Sequence, residues 1–200
     1  MAQDKFQTLL KPAQALLKEK GSKFLAFAYP VENEAQIQEH LQLLRKKHHT
    51  ANHVCYAYTT GFQDAISYAN DDGEPSNSAG TPILGQIQSC TLSNVLLAVV
   101  RYFGGVKLGV GGLRQAYKTS AQMVLQEAAF KTYFLKSHFR VDFTYPQTKR
   151  VEQLIKKAQA DIIESKFETT CYHIIAVRKS LEISTENLFL NHKNIQIKPQ

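Results

Sequence analysis

Tryptophan is absent from this 200-residue chain, and cysteine occurs only three times, as Cys55, Cys90 and Cys171. An odd number of widely spaced thiols, with no CxxC pair, argues against a disulfide framework or a paired-cysteine metal site and fits a reducing compartment. Long apolar runs are missing too. The longest, Val95 to Val100, has six residues, whereas a membrane-spanning helix needs about 20. The N-terminus lacks the basic-then-apolar order of a signal peptide. These absences predict a cytoplasmic protein with no membrane partner. Glycine disappears after Gly112: all ten lie at or before it, and the remaining 88 residues have none. Acidic residues are missing from the 52 residues between Pro75 and Gln126, where Arg101, Lys107, Arg114 and Lys118 are the only charges.

What is present describes an ordinary folded chain. The hydrophobic fraction is 44% and the charged fraction 20%, far from the composition of disordered segments. Lys+Arg 24 against Asp+Glu 17 leaves a net charge of +7, which suggests an anionic partner. The charges are also segregated, with Asp64, Asp71, Asp72 and Glu74 standing just before the acid-free basic segment. The length allows one large domain or two small ones. The abrupt end of glycine usage favours two units, residues 1–132 and 137–200, with the seam at about 131–136.

In the first unit, Phe24 to Tyr29 reads as a strand closed by Pro30, with Phe6–Leu10 or Ala13–Leu17 as its hairpin partner. Glu34 to Lys47 has helical spacing of Ile37, Leu41 and Leu44, an early glutamate and late cations. His53–Tyr58 and Ala65–Ala69 read as strands, and Val95–Phe103 as the most buried one. Thr81 before Pro82 predicts an N-cap and a short helix to Cys90. A longer helix is expected from about Gly112 to Phe130. In the second unit, strands at Ser137–Tyr145, Asp161–Phe167, Thr170–Arg178 and Ile195–Lys198 alternate with a helix after Pro146 and a brief turn near Glu186–Leu190. That β-α-β-β-α-β order is the ferredoxin-like pattern, and both units are α+β.

The densest signal is Arg101-Tyr102-Phe103-Gly104-Gly105-Val106-Lys107-Leu108-Gly109-Val110-Gly111-Gly112. Gly109, Gly111 and Gly112 lead into a helix that begins right after them, and the free N–H groups at that start can hold a phosphate. The spacing matches neither dinucleotide-binding nor P-loop motifs, and a tight turn followed by close packing explains the glycines equally well. The nearby cations favour the phosphate reading: Arg114 and Lys118 are four apart on one helix face, with Lys107 just upstream. Arg101, on a central strand, is also open to burial against Asp71, Asp72 or Glu74. Those three carboxylates offer hard oxygen ligands to a cation, against which stands a solvated turn capping the next element. His48, His49, His53 and Cys55 lack downstream partners at zinc-ligand spacing.

Two stretches resemble a known family. One runs from Asp71 through Asp-Gly-Glu-Pro-Ser-Asn-Ser-Ala-Gly-Thr-Pro-Ile to Leu84, and the other comprises Val99 to Gly105 with Lys107 to Leu113. Together with Ser22-Lys23-Phe24 and His53 to Tyr58 they resemble the IMPACT family in its bacterial, YigZ-type form. The resemblance implies an N-terminal domain of the ribosomal protein S five domain-two type and a C-terminal ferredoxin-like domain similar to one in elongation factor G. Eukaryotic members act in translational control by competing for the activator of a starvation-responsive initiation-factor kinase, and carry a further N-terminal domain for which no room is expected here. Asn77-Ser78 stands where the family pattern reads Gly-Thr. Asparagine tolerates the left-handed conformation, and serine keeps the hydroxyl.

Three function classes follow. The first is a noncatalytic RNA- or ribosome-binding protein linked to regulation of translation, acting through Arg101, Lys107, Arg114 and Lys118 with Gly109, Gly111 and Gly112. The second is a metal-dependent enzyme on a phosphorylated substrate, using Asp71, Asp72 and Glu74. The third is a regulator acting through a protein partner. The first is favoured, with no cofactor and no resident metal expected.

Overall fold

The computed structural model describes residues 4–62, 64–168, 170–190 and 192–200. The chain divides into two compact units, one of residues 6–132 and one of residues 133–200 joined by Asp4 and Lys5.

The first unit is built on an antiparallel sheet of five strands, β2 (Ala13–Glu19), β3 (Ser22–Pro30), β4 (His53–Thr60), β5 (Ile66–Asn70) and β6 (Val95–Tyr102), in the order β2-β3-β6-β4-β5. Its apolar central strand β6 is buried from Val95 to Arg101, because both faces of the sheet are covered. On one face, Phe24, Ala26, Cys55, Leu97 and Val99 pack under helices α2 (Gly80–Ser89) and α3 (Gly109–Gln126). On the other, Phe27, Leu96, Ala98 and Val100 meet Ile37, Leu41 and Leu44 of α1 (Glu34–Lys47). Register sets Arg101 opposite Phe24 on β3 and His53 on β4, which places a charge at the polar end of this apolar strand.

One alternative is decided and two local expectations are corrected. The hairpin partner of β3 is β2, turned by Lys20 and Gly21, both at positive φ (44° and 81°), the geometry that matches the twist of two antiparallel strands. Strand β1 (Lys5–Leu9) pairs instead with β7 (Phe130–Phe134). That pairing ends α3 at Gln126 rather than near Phe130: the Leu10 N–H donates to the Ala129 carbonyl, so a non-local strand overrides the helix propensity of Ala128 and Ala129. Helix α2 starts at Gly80, and Ala79 rather than Thr81 occupies its N-cap position.

The second unit has β8 (Lys136–Phe143), α4 (Thr148–Lys157), β9 (Asp161–Phe167), β10 (Cys171–Arg178), α5 (Glu182–Leu190) and β11 (Ile195–Pro199). Its strands are antiparallel in the order β11-β8-β10-β9, so the first and third strands are central, as in a split β-α-β unit. Phe139, Val141, Phe143 and Ile175 pack against Val151, Leu154 and Ile155 of α4 and Phe189 of α5. Helix α5 has nine residues, longer than the turn expected near Glu186–Leu190, and its first turn holds the buried Thr185.

Candidate nucleic-acid interface

The acidic loop after β5 is where the site begins. Asp71 accepts hydrogen bonds from the backbone N–H groups of Ala79 (2.9 Å), Gly80 (2.8 Å) and Asn77 (2.8 Å). Its carboxylate therefore does the capping that Thr81 was expected to do, from nine residues upstream of Gly80. Burial works to raise the Asp71 pKa, but the amides of Gly80, Ala79 and Asn77 outweigh it and hold the carboxyl below its usual range. Asp72, at φ 43°, accepts both Arg45 guanidinium nitrogens (2.8 and 3.2 Å) and the Val54 N–H (2.6 Å). Gly80 is required where the loop meets α2: a Cβ there would come within 2.6 Å of the Asn70 nitrogen.

Glu74 leaves the surface altogether. It is 8% exposed and its Oε1 receives the Arg101 guanidinium (2.5 Å) and the Tyr117 hydroxyl (2.7 Å). The Cys55 thiol donates to the Asp71 carbonyl (3.0 Å) and lies 3.3 Å from the same tyrosine oxygen. Burial, more than the neighbouring carboxylates, pushes the Cys55 thiol far up, and burial with Cys55 and Glu74 beside it does the same to Tyr117. His53 hydrogen-bonds the Asp72 carbonyl through Nδ1 (2.7 Å), and His48 pairs with the Tyr102 hydroxyl (2.9 Å).

These contacts bear on two of the alternatives left open by the sequence. Arg101 is 6% exposed and ion-paired, so it presents no charge to a ligand. Asp71, Asp72 and Glu74 are held apart by separate structural partners, and among the described residues no group of three His, Cys, Asp or Glu side chains is arranged to hold a metal ion.

What the loop and α3 do present is a cleft of about 470 Å³, lined by Asn77, Thr81, Pro82, Gly111, Arg114, Gln115 and Lys118. No acidic side chain lines it. Helix α3 begins at Gly109, with no side-chain cap from Leu108 and no acid in its first turn. Its opening N–H groups at Gly109, Val110 and Gly111 therefore lack the usual side-chain partners. A Cβ on Gly109 or Gly111 would meet nothing within 4 Å, so packing does not explain these glycines; Gly109, at φ +70°, answers a backbone requirement. Arg114 is anchored across the cleft, its Nε donating to the Asn77 carbonyl (3.2 Å). Lys118 lies one turn further along, and Lys107 stands exposed in the turn before α3. Gly112 is half-buried in the first turn, against the side of Leu108.

Gly111, Arg114 and Lys118 thus share the cleft, while Lys107, Gly109 and Gly112 belong to the helix start beside it. Asn77, Thr81, Pro82 and Gln115 were missed by sequence reasoning. Asn77 carried a usable signal, since it takes a positive φ of 58° at the position where the family pattern has glycine.

The family model for the Impact N-terminal domain matches residues 20–125. The IMPACT family member YvyE of Bacillus subtilis (strain 168) is 36% identical over 138 residues, 69% of this chain and 64% of that relative's length. A family member from Haemophilus influenzae is 30% identical over 172 residues, 84% of each chain. A solved structure described as a hypothetical protein shares the fold, with a TM-score of 0.64, 22% identity, and coverage of 97% of this chain and 96% of that one. The matched segment carries the Asp71 cap, the buried Glu74 and the glycine-led start of α3 together, and the chain belongs to the IMPACT family.

Proposed function

We propose that this protein is a noncatalytic RNA- or ribosome-binding protein linked to regulation of translation, and that Lys107, Arg114, Lys118 and the Gly109–Gly112 start of α3 contact phosphates. One observation carries the reading: the exposed cations and the uncapped helix start adjoin a cleft with no acidic lining. Anions gather where helix N–H groups and cations coincide, and a chain of net charge +7 adds a longer-range pull on a polyanion. The membership of a family with eukaryotic members in translational control supports the translational setting. The reading that Asp71, Asp72 and Glu74 assist a metal-dependent reaction loses its specific support, since each carboxylate is committed to a fold contact. Co-sedimentation with ribosomes and with total RNA over a salt series, followed by sequencing of the bound RNA, tests the proposal. Recovery of the protein with either particle at low salt, declining as salt rises, is expected; no association at any salt would refute it.

A further inference from the structure

The most concentrated free charge in the second unit lies on α4. Four cations, Lys149, Arg150, Lys156 and Lys157, stand on a ten-residue helix whose single acid is Glu152. Val151, Leu154 and Ile155 face the core, and all four cations are exposed. Among the described residues none of the four side chains is given an ion pair or hydrogen bond. Their arrangement is two parallel rows, Lys149 with Lys156 and Arg150 with Lys157, each pair about 10 Å apart along the axis at 1.5 Å per residue.

A merely solvated helix places acids in its first turn, where the dipole favours them. Helix α4 has no acid there and carries Lys149 and Arg150 instead, so these charges oppose local stability. Immediately before it, Tyr145 is 74% exposed. That ring sits in a short turn held by Pro146, with the Thr148 hydroxyl donating to the Tyr145 carbonyl (2.6 Å). A solvent-facing aromatic at the head of a rail of cations is how single-stranded nucleic acid is bound without sequence readout: a base stacks on the ring while successive phosphates follow the cations. An acidic protein surface or an anionic membrane would use the cations but has no base to stack on the ring.

We propose that the outer face of α4, headed by Tyr145, is a second RNA-contacting surface that takes an unpaired strand. This rests on reading the chain as an RNA binder but uses none of the residues of the cleft.

The test uses the full chain and a labelled oligouridine, with affinity measured over a salt series. Variants are checked for native circular dichroism. The variant Lys149→Gln/Arg150→Gln/Lys156→Gln/Lys157→Gln is expected to bind at least tenfold more weakly at low salt, with the log–log salt slope reduced by about three, from roughly 0.7 per single-strand phosphate contact. Tyr145→Ala is expected to weaken binding about tenfold with the slope unchanged, because stacking releases no counterions. A charge-matched control, Lys11→Gln/Lys18→Gln/Lys20→Gln/Lys46→Gln, is expected to change affinity much less.

Unaltered affinity and slope in the α4 variant would overturn the inference; if Lys107→Ala/Arg114→Ala/Lys118→Ala lost binding in the same assay, the cleft reading would stand without it. Loss in the α4 variant with no change in the cleft variant would support α4 and remove the cleft. A control variant as impaired as the α4 variant would reduce the effect to net charge and overturn the inference. So would an α4 variant that lost binding only to phosphatidylserine-containing vesicles. Failure of the wild-type chain to bind oligouridine at low salt would overturn the inference, and co-sedimentation with ribosomes and total RNA would then decide the cleft reading by itself.

Discussion

Removing the Glu74 carboxylate is expected to cost more stability than any surface change in this protein. Its Oε1 neutralises Arg101, a guanidinium 6% exposed on the central strand, and accepts the hydroxyl of Tyr117, which is fully buried. Arg101 Nε is already buried without a partner, so Glu74→Ala would leave a desolvated cation with no acceptor. Breaking one side of such a pair costs about 3–5 kcal/mol, a large share of the roughly 5–15 kcal/mol that holds a typical domain together. Tyr117→Phe removes a hydrogen bond to the same carboxylate but leaves the ion pair, and is expected to cost about 1.5–3 kcal/mol. Arg101→Met/Glu74→Leu should recover much of the single-mutant loss, since apolar replacement of a buried pair is often neutral. Urea unfolding followed by circular dichroism, completed as a double-mutant cycle, measures all three. A Glu74→Ala cost below about 1 kcal/mol, or no coupling between Arg101 and Glu74, would refute a stabilising role for the Glu74–Arg101 pair.

Three further outcomes are expected. The Asp71 carboxyl titrates below its ordinary range in the folded state, so its contribution to stability is complete above that range and is lost as pH falls through the folded value; Asp71→Asn should lower stability at neutral pH by about 1–2 kcal/mol and flatten the acid limb of the unfolding curve, and an acid limb identical to wild type would contradict the cap. Cys90 is partly exposed whereas Cys55 and Cys171 are buried, so a thiol reagent should modify Cys90 first and the other two only on unfolding; rapid native modification of Cys55 would contradict its burial. Limited proteolysis should release a compact fragment ending near residue 135, at the junction of β7 and β8, if the two units fold separately; a single resistant core would count against that.

Much of this fold was legible because it is locally encoded. The α1 helix, β3, β6 and the β-α-β-β-α-β order of the second unit all follow from apolar periodicity and turn residues close in sequence. What was not legible depends on partners far apart. Strand β1 finds β7 more than 120 residues away, and no pattern within Ala128-Ala129-Phe130 reveals that their helix will stop. Thr81-Pro82 has the local form of a helix start, yet Asp71 supplies the cap. For the site, the acid-free segment pointed to Arg114, Lys118 and the glycines at the head of α3, but it also drew in Arg101, whose fate depends on Glu74 at a separation of 27 residues. It drew attention away from α4, where Glu152, exposed three residues from Lys149 and four from Lys156, interrupts the basic pattern.

Phosphate binding beside the α2–α3 cleft is decided by the salt dependence of RNA affinity for the wild-type chain against Lys107→Ala/Arg114→Ala/Lys118→Ala. Loss of three phosphate contacts is expected to reduce the log–log slope by about two to three units, at roughly 0.7 per contact for single strands and 0.9 for duplex. The weakening should be uniform across RNA sequences, because phosphate contacts position without reading bases. A folded triple variant with unchanged affinity and unchanged slope would rule out phosphate binding at this site.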